Sequence, residues 1–112
     1  MPDDCLFCRI VAHEIPATVV RETETTLAFR DIAPKAPVHV LVIPKEHHPT
    51  LSDVAAGDPA LAAAVLTEAR EVARTEGVGD GWRLIANNGA PVGQTVFHAH
   101  VHVLGGGRIE FA

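Results

Sequence analysis

Three histidines, His98, His100 and His102, alternate with apolar residues near the C-terminus. Successive side chains of a β-strand point to opposite faces, so in a regular strand these imidazoles would project from one side. The other side would carry four apolar residues suited to a core: Phe97, Ala99, Val101 and Val103. The imidazole changes protonation near neutral pH and serves as acid, base, nucleophile or metal ligand. We therefore expect the polar face of this segment to form the active site.

Strand geometry argues against one metal ion bound by all three histidines. With a rise of ~3.3 Å per residue, the Cα atoms of His98 and His102 would lie roughly 13 Å apart. The nitrogens that ligate one zinc ion must each lie about 2.0–2.1 Å from it. At most one or two of these side chains can therefore bind the same ion, which leaves the others for chemistry.

Further candidate metal ligands lie elsewhere in the sequence. Cys5 and Cys8 are three residues apart, which places both thiols on the same side of a helical turn. His47 and His48 follow a β-branched segment that ends at Pro44. Both thiolates, one of these histidines and one histidine of the alternating segment would complete a closed tetrahedral site, which is typical of a structural metal. The spacing of the cysteines fits two unrelated intracellular thiols equally well.

The central histidine, His100, is the strongest candidate for a nucleophile. A neutral imidazole attacks phosphorus well when an acceptor holds its second nitrogen and so fixes the tautomer. Groups on the same face, or His39 in the neighbouring β-branched segment, are candidates for that role. For His39 taken alone, a hydrogen-bonded core residue is the favoured interpretation.

A polar, glycine-containing loop precedes the histidines and contains Asn87, Gly89, Gly93 and Gln94. Exposed backbone N–H groups of such a loop can hold phosphate oxygens, although turns need glycine in any case. The position of the loop directly before the histidines favours a role in binding.

These side chains must be positioned by a small α+β domain. The main helix is predicted to run from about Asp58, a good N-cap, to about Glu76, with Gly77 as its C-terminal cap. One main helix among antiparallel strands is typical of the α+β class. The other predicted elements are a short helix after Asp4, strands at Thr18–Arg21, Thr26–Arg30, Val38–Ile43 and Trp82–Ala86, and a histidine strand at Thr95–Leu104.

Composition narrows the possible functions of these 112 residues. The formal net charge of −5 disfavours binding to polynucleotides, which needs a basic surface, but it allows binding of a single nucleotide. The sequence shows no signal-peptide pattern and no apolar stretch of transmembrane length. We therefore expect one domain in the cytoplasm, with no membrane partner.

The segment His98–Leu104 resembles the His-φ-His-φ-His-φ-φ signature of the histidine triad (HIT) superfamily, where φ is apolar. The chain most closely resembles the Hint branch, the nucleoside phosphoramidases. That resemblance implies a single HIT domain over residues 1–112, with a five-stranded antiparallel sheet, one main helix and a short N-terminal helix. The matching segments, in order, are Phe7–Ile10, Glu14–Ala17, Ala28–Pro34, Leu41–Lys45, Gly93–Phe97 and Val103–Arg108.

The resemblance also implies roles for the residues that would carry out the reaction. His100 would attack the α-phosphorus of a nucleoside 5′-phosphoramidate or an acyl-nucleotide. Water would then hydrolyse the nucleotidyl-histidine intermediate to the nucleoside monophosphate. His102 and His39 would orient His100 or bind phosphate, and Thr95 would help to protonate the leaving group. The phosphate contacts would come from Asn87, Gln94 and Thr95.

The nucleoside would be held by a carboxylate and an apolar pocket. Asp31 would accept hydrogen bonds from both ribose hydroxyls. Two departures bear on specificity, because Arg30 stands where this branch often has His and Phe111 lies near where it often ends in Trp. The purine would be enclosed by five apolar side chains that also suit an ordinary core: Leu6, Phe7, Ile10, Phe29 and Ile32.

A subset of the family binds zinc through a quartet that corresponds to Cys5, Cys8, His47 and His98. The resemblance therefore implies a structural Zn²⁺ ion, with His47 rather than His48 as a ligand. It also implies a homodimer in which two sheets join.

The leading hypothesis is a purine nucleotide-binding hydrolase of P–N or acyl-phosphate bonds. One alternative is a dinucleoside polyphosphate hydrolase, and another is a nucleotide-binding regulatory protein with incidental hydrolysis. A zinc-stabilised interaction module is disfavoured because it leaves His39, Asp31 and Gln94 without a role.

Overall fold

The computed structural model describes residues 4–108, which form an α+β domain built on one antiparallel sheet. In the described residues, no helix is long and apolar enough to cross a membrane. The elements are α1 (Leu6–Val11), β1 (Val19–Glu22), β2 (Thr26–Arg30), β3 (Val38–Pro44), α2 (Leu51–Gly57), α3 (Pro59–Thr75), β4 (Trp82–Ile85), a 3₁₀ turn (Ala90–Val92) and β5 (Val101–Gly105).

The five strands lie in the order β1-β2-β3-β5-β4, and all neighbouring strands are antiparallel. The predicted β-branched strand is confirmed as β3, which is central and almost fully buried. In its register with β5, His39 lies opposite Leu104 and Leu41 lies opposite His102. Directly opposed residues share a face of the sheet, so His39 and His102 project from the same side.

Each face of the sheet is covered by a different helix. On one face, α3 packs against a core cluster that includes Val40, Val42, Val101 and Val103. On the other face, α1 packs against a second cluster that includes Phe29, Leu41 and Ile43. His39 and His102 share the face of Leu41, so the histidines lie on the α1 side.

The main helix is confirmed as α3. The Asp58 side chain accepts a hydrogen bond from the Leu61 N–H at 3.1 Å and caps the first turn. At the other end, Gly77 adopts a positive φ of 81°, a conformation that glycine reaches without the steric cost of a side chain. The buried stripe contains the four predicted residues: Leu61, Val65, Ala69 and Val72.

The prediction of a regular histidine strand from Thr95 is wrong. Strand β5 begins at Val101, so His98 and His100 lie in an irregular segment before it. The backbone N–H of Ala99 bonds the carbonyl of His48 at 2.6 Å, and this segment follows that loop instead of extending the ladder. Phe97, which the alternation places in the core, is 47% exposed for the same reason.

Helix α2 is not predicted from the sequence. It has seven residues, of which only Val54 is buried, so it carries no periodic apolar stripe. Its one sequence signal is the N-cap Thr50, whose hydroxyl accepts a hydrogen bond from the Asp53 N–H at 3.1 Å.

Candidate functional site

Cys5, Cys8, His47 and His98 converge on one point and are named the quartet. Their ligand atoms all lie within 4.8 Å of one another, so the quartet could hold a metal ion. The Nδ1 atom of His98 lies 3.3 Å from the Cys5 sulfur, 3.5 Å from the Cys8 sulfur and 3.3 Å from Nδ1 of His47. His47 Nδ1 lies 3.3 Å from the Cys8 sulfur. These are the four residues that the family resemblance implies.

The chain positions the quartet from three separate segments. Cys5 caps α1, where its sulfur accepts the Cys8 N–H at 3.3 Å, so both thiols face the same way. His47 lies three residues beyond the end of β3. The adjacent His48 turns away and pairs with Glu46 at 2.8 Å, which decides between the two neighbouring histidines.

Backbone contacts and burial set the protonation of the quartet. Nε2 of His98 donates to the carbonyl of Pro44 at 2.7 Å, which leaves the lone pair of Nδ1 directed at the other three ligands. Burial lowers the pKa of His98 to about 4 and raises the pKa of Cys8 to about 11. A bound cation would reverse the effect on the thiol, because metal ligation favours the thiolate.

A second group, named the relay, consists of Asp31, His39 and His102. The Lys35 backbone N–H donates to Nδ1 of His39 at 3.0 Å, so the ring proton of neutral His39 resides on Nε2. That Nε2–H lies 2.9 Å from Nδ1 of His102 and donates to it. Neutral His102 therefore carries its proton on Nε2. The Asp31 carboxylate lies 3.5 Å from Nε2 of His39.

The relay histidines are neutral at physiological pH. Burial lowers the pKa of His39, and it lowers the pKa of His102 to about 4. A neutral pair fits the hydrogen bond between them, since one nitrogen must donate and the other must accept.

His100 lies beside the relay with its own tautomer fixed. Its Nδ1–H donates to the carbonyl of His98 at 2.7 Å, which leaves the lone pair on Nε2. Burial lowers the pKa of His100, so the ring stays neutral. The ring meets that of His102 at a centroid distance of 5.1 Å and that of Phe7 at 5.2 Å. A buried neutral imidazole with one available lone pair is a competent nucleophile.

Of the three loop residues predicted to contact phosphate, Gln94 is buried, whereas Asn87 and Thr95 are more accessible. Gln94 is 5% exposed; its oxygen accepts the Gly89 N–H at 2.7 Å, and its nitrogen donates to the carbonyls of Pro49 and Val96. These bonds hold the loop in shape. Thr95 is exposed and Asn87 is half-buried, and the phosphate contacts of all three stay predictions.

The five apolar residues predicted to enclose a purine are not equivalent. Phe7, Ile10 and Phe29 are buried in the core cluster beneath α1. Leu6 and Ile32 are 43% and 99% exposed, which leaves them available to a ligand. Leu6 also lines a cavity of about 380 Å³ together with Thr95, Val96 and Phe97.

Arg30 and Phe111 are the two positions at which the sequence departs from the Hint branch. Arg30 forms an ion pair with Glu76 at the end of α3. Phe111 lies outside the described residues.

Three backbone groups of the site carry no signal in the sequence. They are the Lys35 N–H, the Pro44 carbonyl and the His98 carbonyl, each of which fixes the tautomer of one histidine. Every amino acid has a carbonyl and all but proline have the N–H, so residue identity could not have revealed them.

Comparisons with known proteins identify the family of this chain. A model of the HIT domain matches residues 12–109. An uncharacterized HIT-like protein of Synechocystis is 53% identical, over 95% of this chain and 93% of that protein. The purine nucleoside phosphoramidase of Escherichia coli is 41% identical, over 95% of this chain and 90% of that enzyme. A HIT family hydrolase from Clostridium thermocellum has a TM-score of 0.91 and 40% identity, over 100% of this chain and 96% of that one.

These matches cover nearly the whole chain, and the chain belongs to the HIT domain family. It is a hydrolase of that family.

Proposed function

We propose that this hydrolase cleaves the P–N or acyl-phosphate bond of purine nucleoside 5′-phosphoramidates and related acyl-nucleotides, releasing the nucleoside monophosphate. The observation that carries the proposal is the fixed tautomer of His100, whose Nδ1–H is held by the His98 carbonyl at 2.7 Å. The 41% identity to a purine nucleoside phosphoramidase supports the substrate class.

The first step forms a bond between His100 and phosphorus. The Nε2 lone pair attacks the α-phosphorus, and the P–N bond breaks as the amine leaves with a proton, which Thr95 helps to deliver. The ring of the nucleotidyl-histidine is a cation, and its Nδ1–H remains bonded to the His98 carbonyl, which stabilises that charge. The Nε2–H of His102 donates to a non-bridging phosphate oxygen.

The second step is hydrolysis of this intermediate. Water attacks phosphorus, the bond to Nε2 of His100 breaks, and the proton of the water passes to solvent, which replaces the one that the amine took up in the first step. His100 returns to the neutral form with the same tautomer, because its Nδ1–H is held throughout. The buried relay keeps His102 as a donor in both steps.

The nucleoside would lie over the α1 side of the sheet. Asp31 would accept the ribose hydroxyls; its side chain is 20% exposed, and one oxygen already accepts the Ala33 N–H at 2.7 Å. Leu6 and Ile32 would contact the purine, with Phe7, Ile10 and Phe29 forming the floor. The phosphate contacts would come from Asn87 and Thr95, while Gln94, whose two N–H groups donate to Pro49 and Val96, would hold the loop that carries them.

We also propose that the quartet holds a structural Zn²⁺ ion. A tetrahedral zinc with ordinary bond lengths separates two nitrogen ligands by about 3.4 Å and a nitrogen from a sulfur by about 3.6 Å. The observed separations of 3.3 Å between nitrogens and 3.3–3.5 Å between nitrogen and sulfur fit those edges. Four protein ligands leave no open position, so the ion would supply stability.

Two further parts of the proposal rest on the family. The protein would act in the cytoplasm, and it would be a homodimer in which two sheets join. Strands β1 and β4 form the two edges of the described sheet, which is consistent with pairing between copies.

The decisive experiment compares two substrates on the purified protein. We expect adenosine 5′-phosphoramidate to be converted to AMP, and we expect His100→Ala to lower kcat/KM by roughly a thousandfold or more. His48→Gln, which changes only the side chain of a half-buried histidine outside the quartet and keeps its backbone carbonyl, is the matched control and should retain activity. Wild-type turnover no faster than that of His100→Ala would overturn the catalytic assignment. Faster turnover of a diadenosine polyphosphate would replace it with the dinucleoside hydrolase alternative.

A further inference from the structure

His98 belongs to both halves of the site. Its imidazole lies in the quartet, with Nδ1 facing the other ligands and Nε2 bonded to the Pro44 carbonyl at 2.7 Å. Its backbone carbonyl is the acceptor that fixes the tautomer of His100. One residue therefore joins a metal-binding side chain to a carbonyl that orients the nucleophile.

The carbonyl of His98 and the N–H of Ala99 belong to one planar peptide unit, so they cannot rotate independently. The N–H bonds the carbonyl of His48 at 2.6 Å, directly after the quartet residue His47. The carbonyl side of the same plane accepts from His100. The plane is thus held on its N–H side by the segment that contains His47, and it is joined directly to His98, whose side chain lies in the quartet.

This peptide plane is not held by the sheet. Strand β5 begins at Val101, so the unit between His98 and Ala99 lies outside the ladder. The side chain of Ala99 is fully buried against Val54 and Leu61. This packing restricts the position of the residue but adds no hydrogen bond to the peptide plane. The orientation of the plane therefore depends on its bond to the His48 carbonyl and on the position of His98 in the quartet.

We propose that His98 is a positioning residue, and that occupation of the quartet by a metal ion aims the nucleophile through the peptide plane between His98 and Ala99. Binding would fix the His98 side chain and the His47–His48 segment together, which fixes the carbonyl that accepts the hydrogen bond from Nδ1–H of His100. The ion acts through this plane without touching substrate. Only the kinetic measurement used to test this inference rests on the proposed function.

The test uses Cys8→Ser, which removes one ligand with little change in shape. Wild type with bound Zn²⁺ and the variant are compared at a temperature where circular dichroism shows both to be folded. We expect kcat for adenosine 5′-phosphoramidate to fall about tenfold with KM within about twofold, since modest misplacement of a reacting group acts mainly on the chemical step. Nitrogen-15 NMR of the His100 ring should show loss of its single tautomer.

A matched control separates positioning from general loss of stability. Val65→Ala creates a cavity in the fully buried core under α3, on the opposite face of the sheet. It should lower Tm while leaving kcat and the His100 ring signal as in wild type. An equal fall in kcat in both variants would overturn the proposal.

A second preparation covers the case in which Cys8→Ser does not fold. Wild-type protein is treated with a chelator and then reloaded with Zn²⁺, and the same NMR signal is followed. A His100 tautomer that is unchanged by metal removal would overturn the proposal. If wild-type protein fails to cleave the phosphoramidate, the proposed function fails, and the NMR comparison still decides the role of His98.

Discussion

The quartet and the relay both bring histidine nitrogens within contact distance on the α1 side of one sheet, yet their protons are arranged in opposite ways. In the quartet, two Nδ1 atoms face each other at 3.3 Å with the proton of His98 directed away to Pro44. In the relay, a proton lies between His39 and His102 at 2.9 Å. The first arrangement presents converging lone pairs, and the second presents a donor meeting an acceptor.

The difference comes from backbone groups and not from the side chains. A carbonyl contacts His98, which draws the ring proton to that side. An amide N–H from Lys35 contacts His39, which forces the ring proton to the opposite nitrogen. The relay also includes a carboxylate, and its ligand atoms lie as close together as those of the quartet. Proximity alone would therefore mark both as metal sites, whereas the tautomers favour metal binding only at the quartet.

The largest effect is expected when a relay histidine is removed, because activity should be lost while the metal is kept. His102→Ala should lower kcat/KM roughly a thousandfold, the loss expected for a group that donates to the phosphate, while the protein still binds Zn²⁺. Cys5→Ser/Cys8→Ser should abolish Zn²⁺ binding. Elemental analysis and kinetics on both variants test this directly. Loss of metal in His102→Ala would show that the quartet and the relay are one site.

The sequence predicts some features of the fold and the site but not others. The main helix follows from side-chain signals, namely the Asp58 cap, its apolar stripe and Gly77. The residues of the quartet follow from spacing and resemblance. The start of β5 does not, because it depends on a bond between Ala99 and His48 that connects distant backbone atoms.

The geometry of the site is also not predictable from the sequence, because it too depends on contacts between distant backbone atoms. Alternation predicts that His98, His100 and His102 are site residues, but it assumes a strand where the chain is irregular. The irregular segment lets His98 turn into the quartet while His102 stays on the sheet beside His39. No pattern of residue types encodes which backbone group each ring will meet.

The second prediction concerns the donor within the relay. His39→Ala removes the N–H that holds Nδ1 of His102, so His102 is free to adopt the wrong tautomer, and we expect kcat to fall roughly 10- to 100-fold. His39→Gln should restore part of the rate, because its amide can donate to the same nitrogen. Steady-state kinetics on both variants provide the measurement. Equal activity of the two variants would argue that His39 serves packing alone.

The third prediction concerns the side chain that supports both regions. Gln94 bonds the carbonyl of Pro49, close to His48, and the carbonyl of Val96, which leads to His98. Gln94→Ala should lower the free energy of unfolding by about 2 kcal/mol, because it removes the three hydrogen bonds of a buried side chain to part-buried backbone groups. Denaturant unfolding measures the change. Thr95→Ala, at an exposed neighbour, should change stability by less than about 0.5 kcal/mol, and a larger loss there would reverse the two roles.

The last prediction has the smallest effect and tests whether the relay histidines are neutral. Burial, helped by His100 and His39 and opposed by Asp31, lowers the pKa of His102 to about 4. In the unfolded chain that pKa is about 6.5. Between these values the unfolded state binds the extra proton, so stability is complete above about pH 6.5 and is lost as the pH falls toward 4.

His102→Gln should therefore reduce the pH slope of the free energy of unfolding by up to about 1.4 kcal/mol per pH unit. Val65→Ala, which removes no titrating group, should lower stability and keep the wild-type slope. A wild-type slope in His102→Gln would show that the His102 ring is already charged in the folded protein, and the proton between the two rings would need another assignment.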